Sequence, residues 1–250
     1  MKSVELDSSA MYIAMWSGPR NISTALMRAW ENRNDTAVWD EPFYAYYLKA
    51  TGIDHPGAYE VIGTGEPDWR NVVDKVTGPI PDGRAIFYQK HMTHHLLPEI
   101  DRGWLARVTN CFLIRDPREV IASYAKVRTN LTVADVGIPQ QAEIFEWVRS
   151  RTGRTPLVLD ARDVLQDPRR MMIGLCSALD VPFTEYMLVW PPGPRESDGV
   201  WGKHWYASVW ASTGFAPYEP KVHTLPKHLE PLSEACAPHY RTLYQCRLDL

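Results

Sequence analysis

The chain lacks any apolar run of about eighteen residues, the length a membrane-crossing helix requires, so no transmembrane segment and no membrane partner are expected. It also lacks a strong charge of either sign: 27 Lys and Arg against 30 Asp and Glu leave a formal net charge of −3. No bulk basic field draws it to nucleic acid, and any anion site must be a local cluster. Cysteine is scarce. Cys111, Cys176, Cys236 and Cys246 are scattered and form no CxxC pair, which argues against a disulfide framework and against a thiolate metal centre. Cys111 and Cys176 lie in apolar runs, as buried thiols do. The first stretch, MKSVELDSSAMYIAMW, has acids where a secretory leader has bases, and no long apolar core. A reducing, cytoplasmic setting without a structural metal is therefore expected. Internal repeats and low-complexity tracts are absent too, which removes solenoid architectures.

What is present suits one large α/β domain, or one domain with a small cap: 250 residues, 45% of them hydrophobic. Short apolar runs at 11–16, 36–40, 85–90, 109–115 and 156–161 read as five strands. Their apolarity is continuous rather than alternating, as in strands covered on both faces, so a mostly parallel sheet is predicted. Helical patterns run over 22–33 and 139–153, where Ile144, Trp147 and Val148 recur at helical spacing. Another spans 167–182, with an Asp cap and a Pro in its first turn. A last helix is predicted over about 231–248. Twenty prolines, many beyond residue 180, predict an irregular final third. The expected fold is an α/β three-layer sandwich, with helices on both sides of the sheet. The core would span about 11–185 and an irregular C-terminal cap about 186–250, within a single domain. Ligands in such folds sit beyond the carboxyl ends of the strands. Positions 16–17, 40–41, 90–91, 115–116 and 160–161 turn polar or charged there.

The first strand runs into SGPRNISTALMRAW, the layout of a phosphate-binding loop. A helix N-terminus carries unpaired N–H groups and about half a unit of positive charge. Gly18 permits a tight turn. Arg20 adds an ionised fork matched to phosphate or sulfate oxygens. Ser23 and Thr24 add hydroxyls in the first turn. The Gly-Lys-Ser/Thr ending of a nucleotide triphosphatase is missing, so a metal-bridged triphosphate is poorly provided for. A second anion feature lies in FLIRDPREVIASYAKV. Arg115 ends a strand, Asp116 and Pro117 open a helix, and Ser123 follows eight residues after Arg115, about two helical turns on.

These two segments together resemble the motif pair of the sulfotransferases that use 3′-phosphoadenosine 5′-phosphosulfate (PAPS). Residues 19–24 match the loop that holds the 5′-phosphosulfate in that family. Residues 115–123 match its Arg-x-Pro…Ser segment, which holds the 3′-phosphate. LVLDARDVLQDPRRMMIGLCSALDVPF is similar to a later strand-and-helix segment of the same family. The resemblance implies a P-loop fold and PAPS, or its desulfated form PAP, bound by Ser17, Gly18, Arg20, Asn21, Ser23, Thr24, Arg115 and Ser123. Ile22 departs from the family's usual Gly, and Arg20 replaces the Lys of the cytosolic branch.

Sulfuryl transfer needs a base for the acceptor hydroxyl and a cation at the leaving oxygen. FYQKHMTHHLLP resembles a cytosolic segment in which Lys and His flank the transferred group, implying Lys90 and His91. WDEPFYAYYL resembles the Glu-Pro element of carbohydrate and bacterial members, implying Glu41 as base. His91, His94 and His95 also raise a metal site, but HExxH is missing, and none is expected. Trp201, Trp205 and Val209 share one helical face, as either plain core or the wall of an acceptor pocket. The expected activity is sulfuryl transfer to a hydroxyl or amine of a small-molecule or carbohydrate acceptor, with a homodimer left open. The alternatives are an ATP-dependent small-molecule kinase, using Asp40 or Asp116 for Mg²⁺, and a non-catalytic anion-binding relative.

Overall fold

Five strands form one parallel sheet in the order β2-β3-β1-β4-β5. In this computed structural model, which describes residues 10–220 and 224–250, they are β1 Met11–Ser17, β2 Thr36–Asp40, β3 Ile86–Met92, β4 Thr109–Ile114 and β5 Leu157–Asp160. All five expected strands are found, each within two residues of its predicted bounds. β1 lies between β3 and β4, with Met15 beside Lys90 on one side and beside Cys111 on the other. The chain leaves β1 toward β2 at one edge and leaves β4 toward β5 at the other. The carboxyl ends of these central strands therefore open a crevice, the usual ligand position in such sheets.

The helices are α1 Ser23–Glu31, α2 Tyr44–Thr51, α3 Ala58–Thr64, α4 Trp69–Val76, α5 Pro117–Tyr124, α6 Val133–Val136, α7 Ile138–Thr152, α8 Ala161–Gln166, α9 Pro168–Ala178, α10 Gly202–Trp205, α11 Ala207–Trp210 and α12 Glu230–Tyr244. Alternation along β1 splits the core in two. Ile13 and Met15 face α1, α8 and α9, joined by Tyr88, Cys111 and Leu113. Ala14 and Trp16 face α4 and α7, joined by Phe112, Ile114 and Leu243. Each face buries a continuous apolar layer, which is why the strands read as unbroken hydrophobic runs. Fully burying one such side chain contributes about 1.5–3 kcal/mol. Cys111, Cys176 and Cys236 are buried free thiols. Burial pushes the Cys111 thiol up to about 12. Among the described residues, no helix is long and apolar enough to cross a membrane.

Two parts of the chain differ from expectation. Residues 44–76, unassigned from sequence, hold α2, α3 and α4. The expected aromatic helix is two four-residue turns, α10 and α11, broken at Tyr206, where φ is −102° and ψ 11°. The break turns Tyr206 into the interior. Trp201 and Tyr206 are buried beside α2, while Trp205 and Val209 are half-buried against them.

Candidate active site

The loop between β1 and α1 is built by its neighbours. Gly18 sits where a Cβ would lie 2.7 Å from the carbonyl oxygen of Val136, so backbone contact rather than a special dihedral demands glycine there. The left-handed residue of the loop is Arg20, at φ +56°. Its strained conformation is held from both ends. Arg115 donates from Nη1 to the Arg20 carbonyl at 2.8 Å, and Arg20 Nε donates to Ser123 Oγ at 3.1 Å. Asn21 is a strut: its Oδ1 accepts from the Ile22 amide at 2.8 Å, and its Nδ2 donates to the Leu113 carbonyl at 3.0 Å. The first intrahelical bond of α1 runs from Leu26 N to the Ile22 carbonyl. The amides of Ser23, Thr24 and Ala25 precede it and are the orphan donors of the helix start.

The second anion feature joins the first. Asp116 caps α5 by accepting from the Arg118 amide at 2.8 Å, with Pro117 at the first position. Arg115 also bonds Glu119, Nε to Oε2, at 2.9 Å. Arg20, Arg115 and Ser123 thus form one connected rim above the sheet, on the side where α1 begins. The expected division, with Arg20 at one phosphate and Ser123 at another, is bridged by the Arg20 side chain itself.

That rim borders a cavity of about 340 Å³ lined by the first turn of α1, Ser123, Glu41, Lys90, Tyr44 and Tyr206, among others. At its floor Lys90 is held by three oxygens. Nζ donates to Asp40 Oδ1 at 2.8 Å, Glu41 Oε1 at 2.6 Å and Tyr206 Oη at 2.9 Å. The register explains this, because Asp40 lies directly across from Lys90 on the paired strands. Tyr206 Oη in turn donates to Asp40 Oδ2 at 2.6 Å and accepts from Trp201 Nε1 at 3.1 Å. Burial alone would depress the Lys90 ammonium. The Asp40 and Glu41 carboxylates outweigh it and hold Lys90 well above its ordinary range. Burial raises the Glu41 carboxyl, and Lys90 only partly offsets this. Glu41 itself is left-handed, at φ +46°, which folds the chain back at the end of β2.

Pro19, Arg20, Asn21, Ser23, Thr24, Glu41, Lys90 and Ser123 all line the cavity, whereas Ser17, Gly18, His91 and Arg115 do not. Ser17 Oγ packs 3.9 Å from the Met92 sulfur. The expected proximity of His91 to an acceptor fails on the alternation of β3. Lys90 faces α1 and the cavity, so His91 faces the other layer, stacked on Trp16 at 4.5 Å and bonded to Gln89 at 3.2 Å. Burial pushes its imidazole down to about 3. The neighbouring His94 and His95 line the cavity instead. Among the described residues, no three His, Cys, Asp or Glu side chains are grouped to hold a metal ion. Asp40 is taken up by Lys90 and Tyr206, and Asp116 by its helix cap. Sequence reading missed Tyr206 and Tyr44. Tyr44 follows Glu41 by three residues, one turn on, and could have been inferred from that spacing; Tyr206 reaches the floor from far along the chain and left no such signal.

Comparison with known proteins agrees with this geometry. A family model described as a sulfotransferase domain matches residues 11–246. Two Arabidopsis thaliana proteins, named branched-chain-amino-acid aminotransferase-like proteins 1 and 2, are 36% and 33% identical to the chain over 232 and 233 residues. Each match covers 92% of this chain and 41% of the relative, so the chain spans about two-fifths of the length of these proteins. A solved sulfotransferase domain from the curacin biosynthetic pathway shares the fold, with a TM-score of 0.55 at 16% identity over 93% of this chain and 98% of that one. The loop, the Arg–Ser rim and the family match over nearly the whole chain lead to one assignment: this chain belongs to the sulfotransferase-domain family.

Proposed function

We propose that the chain is a PAPS-dependent sulfotransferase acting on a hydroxyl of a small acceptor. The observation that carries this reading is the cavity floor. There the buried Lys90 lies 2.6 Å from Glu41, beneath a helix start rimmed by Arg20 and Ser123. The residues present fit a doubly phosphorylated nucleotide. Orphan amides, the Ser23 and Thr24 hydroxyls and a guanidinium converge on one cavity, which is chemistry suited to anionic oxygens. The buried ammonium suits a developing negative charge.

PAPS, when bound, would supply the sulfuryl group, with the electron pair of the broken S–O bond leaving on PAP. The chain does the rest. The first turn of α1, with Arg20, Ser23 and Thr24, grips the phosphosulfate end, and Ser123 serves the 3′-phosphate, with Arg115 behind the rim holding the Arg20 carbonyl. Glu41 takes the proton that the acceptor hydroxyl loses as its oxygen bonds to sulfur. Burial makes this carboxylate a stronger base than an exposed one. Lys90 keeps its charge throughout and balances the growing charge on the leaving oxygen. The Ile22 amide is committed to Asn21 Oδ1, so the donors left for the ligand at this helix start are the amides of Ser23, Thr24 and Ala25.

We predict that Arg20→Ala lowers PAP affinity at least tenfold in isothermal titration calorimetry, because it removes both the guanidinium and its hold on Ser123. An affinity for PAP equal to that of the parent protein would reject the assignment. Thermal-shift measurements separate the kinase alternative: PAP should stabilise the protein and ATP–Mg²⁺ should not.

A further inference from the structure

A chain of hydrogen bonds outside the phosphate rim ends in the same cavity. Arg128, in the segment after α5, donates from Nη1 to His55 Nε2 at 3.1 Å. His55, in the segment after α2, contacts Tyr44 Oη through Nδ1 at 2.7 Å. The far end is anchored by Arg128 Nη2 on Asp135 Oδ1 at 2.9 Å. The direction of this relay is fixed by elementary bonding. A guanidinium has only donors, so His55 Nε2 must be the acceptor and carry no proton. The imidazole is then neutral with its proton on Nδ1, and Nδ1–H donates to Tyr44 Oη. Burial and the adjacent Arg128 both disfavour imidazolium, in keeping with this tautomer. The Tyr44 hydroxyl therefore accepts from His55, and its own proton is unspent. Among the described residues, Tyr44 Oη has no second partner, although the residue is buried and lines the cavity.

We propose that Tyr44 is a specificity-determining donor for the acceptor: it binds a second, uncharged oxygen of a ring-bearing hydroxyl compound whose hydroxyl faces Glu41. This inference rests on the sulfotransferase reading of the site. Besides Tyr44 Oη, the wall leaves few buried polar atoms uncommitted, the Nδ1 atoms of His94 and His95 among them. Tyr206 Oη is shared among Lys90, Asp40 and Trp201. A compound rich in hydroxyls would bring donors and acceptors to a wall that has few to return, at a desolvation cost for each. An anionic oxygen is disfavoured because Glu41 faces the same space and Arg128 is neutralised by Asp135. A ring is favoured by the wall, where Tyr44 stacks on His95 at 4.7 Å and meets Trp201 edge-on at 5.0 Å. Arg128 polarises the relay and strengthens the Tyr44 donor, because bonds in a chain reinforce one another. Arg128 and His55 are positioning residues in this scheme.

Two measurements test it. Nitrogen-15 NMR of the unliganded protein should show His55 as the neutral Nδ1–H tautomer at pH 7. An Nε2–H tautomer or an imidazolium would overturn the relay. Binding of 2-methoxyphenol and of 2-ethylphenol to the PAP-loaded protein compares two rings of similar shape that differ in the second oxygen. The parent protein should prefer the ether at least fivefold, and Tyr44→Phe should erase the preference while leaving PAP affinity unchanged. Equal binding of the two phenols by the parent, binding of neither, or a preference retained in Tyr44→Phe would each overturn the proposal. Loss of PAP binding by the parent protein would instead reject the sulfotransferase reading, leaving the tautomer result to stand on its own.

Discussion

At the scale of single residues, the proposed chemistry turns on Glu41 and Lys90, which differ in how burial treats them. Burial raises Glu41, with Lys90 opposing the shift. Lys90 would be depressed by burial, but two carboxylates overcome it. Of the two, the ammonium is therefore held charged, and the carboxyl, raised from its ordinary range, is the group that titrates first as pH falls from neutral. A base acts only when ionised, so activity should climb as pH rises through the elevated Glu41 value. We predict a rising limb in the kcat/KM profile above the usual carboxylate range, and its disappearance in Glu41→Gln, with kcat reduced by about 10²–10⁴. A Glu41→Gln enzyme retaining the parent rate would remove Glu41 from the mechanism. The residues on which this depends were legible in sequence because each sits where an apolar strand turns polar. Lys90 and His91 are adjacent, however, and only the two-residue period of a strand separates them: once Lys90 faces α1, His91 cannot. Tyr44 could be placed by its spacing from Glu41, but the roles of His55 and Tyr206 were not legible, because partners distant in sequence decide what their polar atoms do.

At the scale of elements, the loop before α1 shows how little of its construction a motif conveys. The motif identifies glycine, arginine and hydroxyls. The structure gives the glycine to packing, since Gly18 passes under the Val136 carbonyl, and gives the left-handed backbone to Arg20. α6, which supplies that carbonyl, is therefore part of the loop's support, together with the Arg115 and Asn21 bonds. We predict that Gly18→Ala, which adds a methyl group 2.7 Å from a backbone oxygen, destabilises the protein by about 1–3 kcal/mol in urea denaturation and weakens PAP binding as well. Unchanged stability would mean that α6 gives way freely. The five strands were readable because burial on both faces imposes unbroken apolarity, a local signal. α2, α3 and α4 were not, because they are short and two of them end at Gly52 and Gly65. The expected aromatic helix breaks into α10 and α11 because Tyr206 must turn inward to reach Asp40 and Lys90. That requirement is tertiary and is invisible to helical periodicity.

At the scale of the whole molecule, burial holds His91, His94 and His95 in the neutral form, as it does His55. His91 lies against Trp16 in one core layer, and at the cavity wall His95 stacks on Tyr47 while His94 meets it edge-on. Burial lowers all three, His91 and His94 to about 3, with Lys90 and neighbouring histidines adding to the effect. Their ordinary value is 6.5. The folded pKa is thus below the unfolded one, so the unfolded chain binds more protons as pH falls. The stabilisation is complete above pH 6.5 and is lost progressively on acidification toward pH 3. Each histidine contributes a slope of about 1.4 kcal/mol per pH unit in that interval. Glu41 and Asp160 work in the opposite sense, because their raised carboxyls take up a proton in the fold first, but the lowered histidines, His55 included, outnumber them. We predict that unfolding free energy from urea titration falls steeply between pH 7 and pH 5. In His94→Phe, which keeps a flat ring at the position and removes one proton site, the slope should drop by about 1.4 kcal/mol per pH unit. A stability that stays level across those two units would show that the histidines take up protons in the folded state. It would also show that water reaches the wall of the cavity on which Glu41, Tyr44 and Lys90 depend.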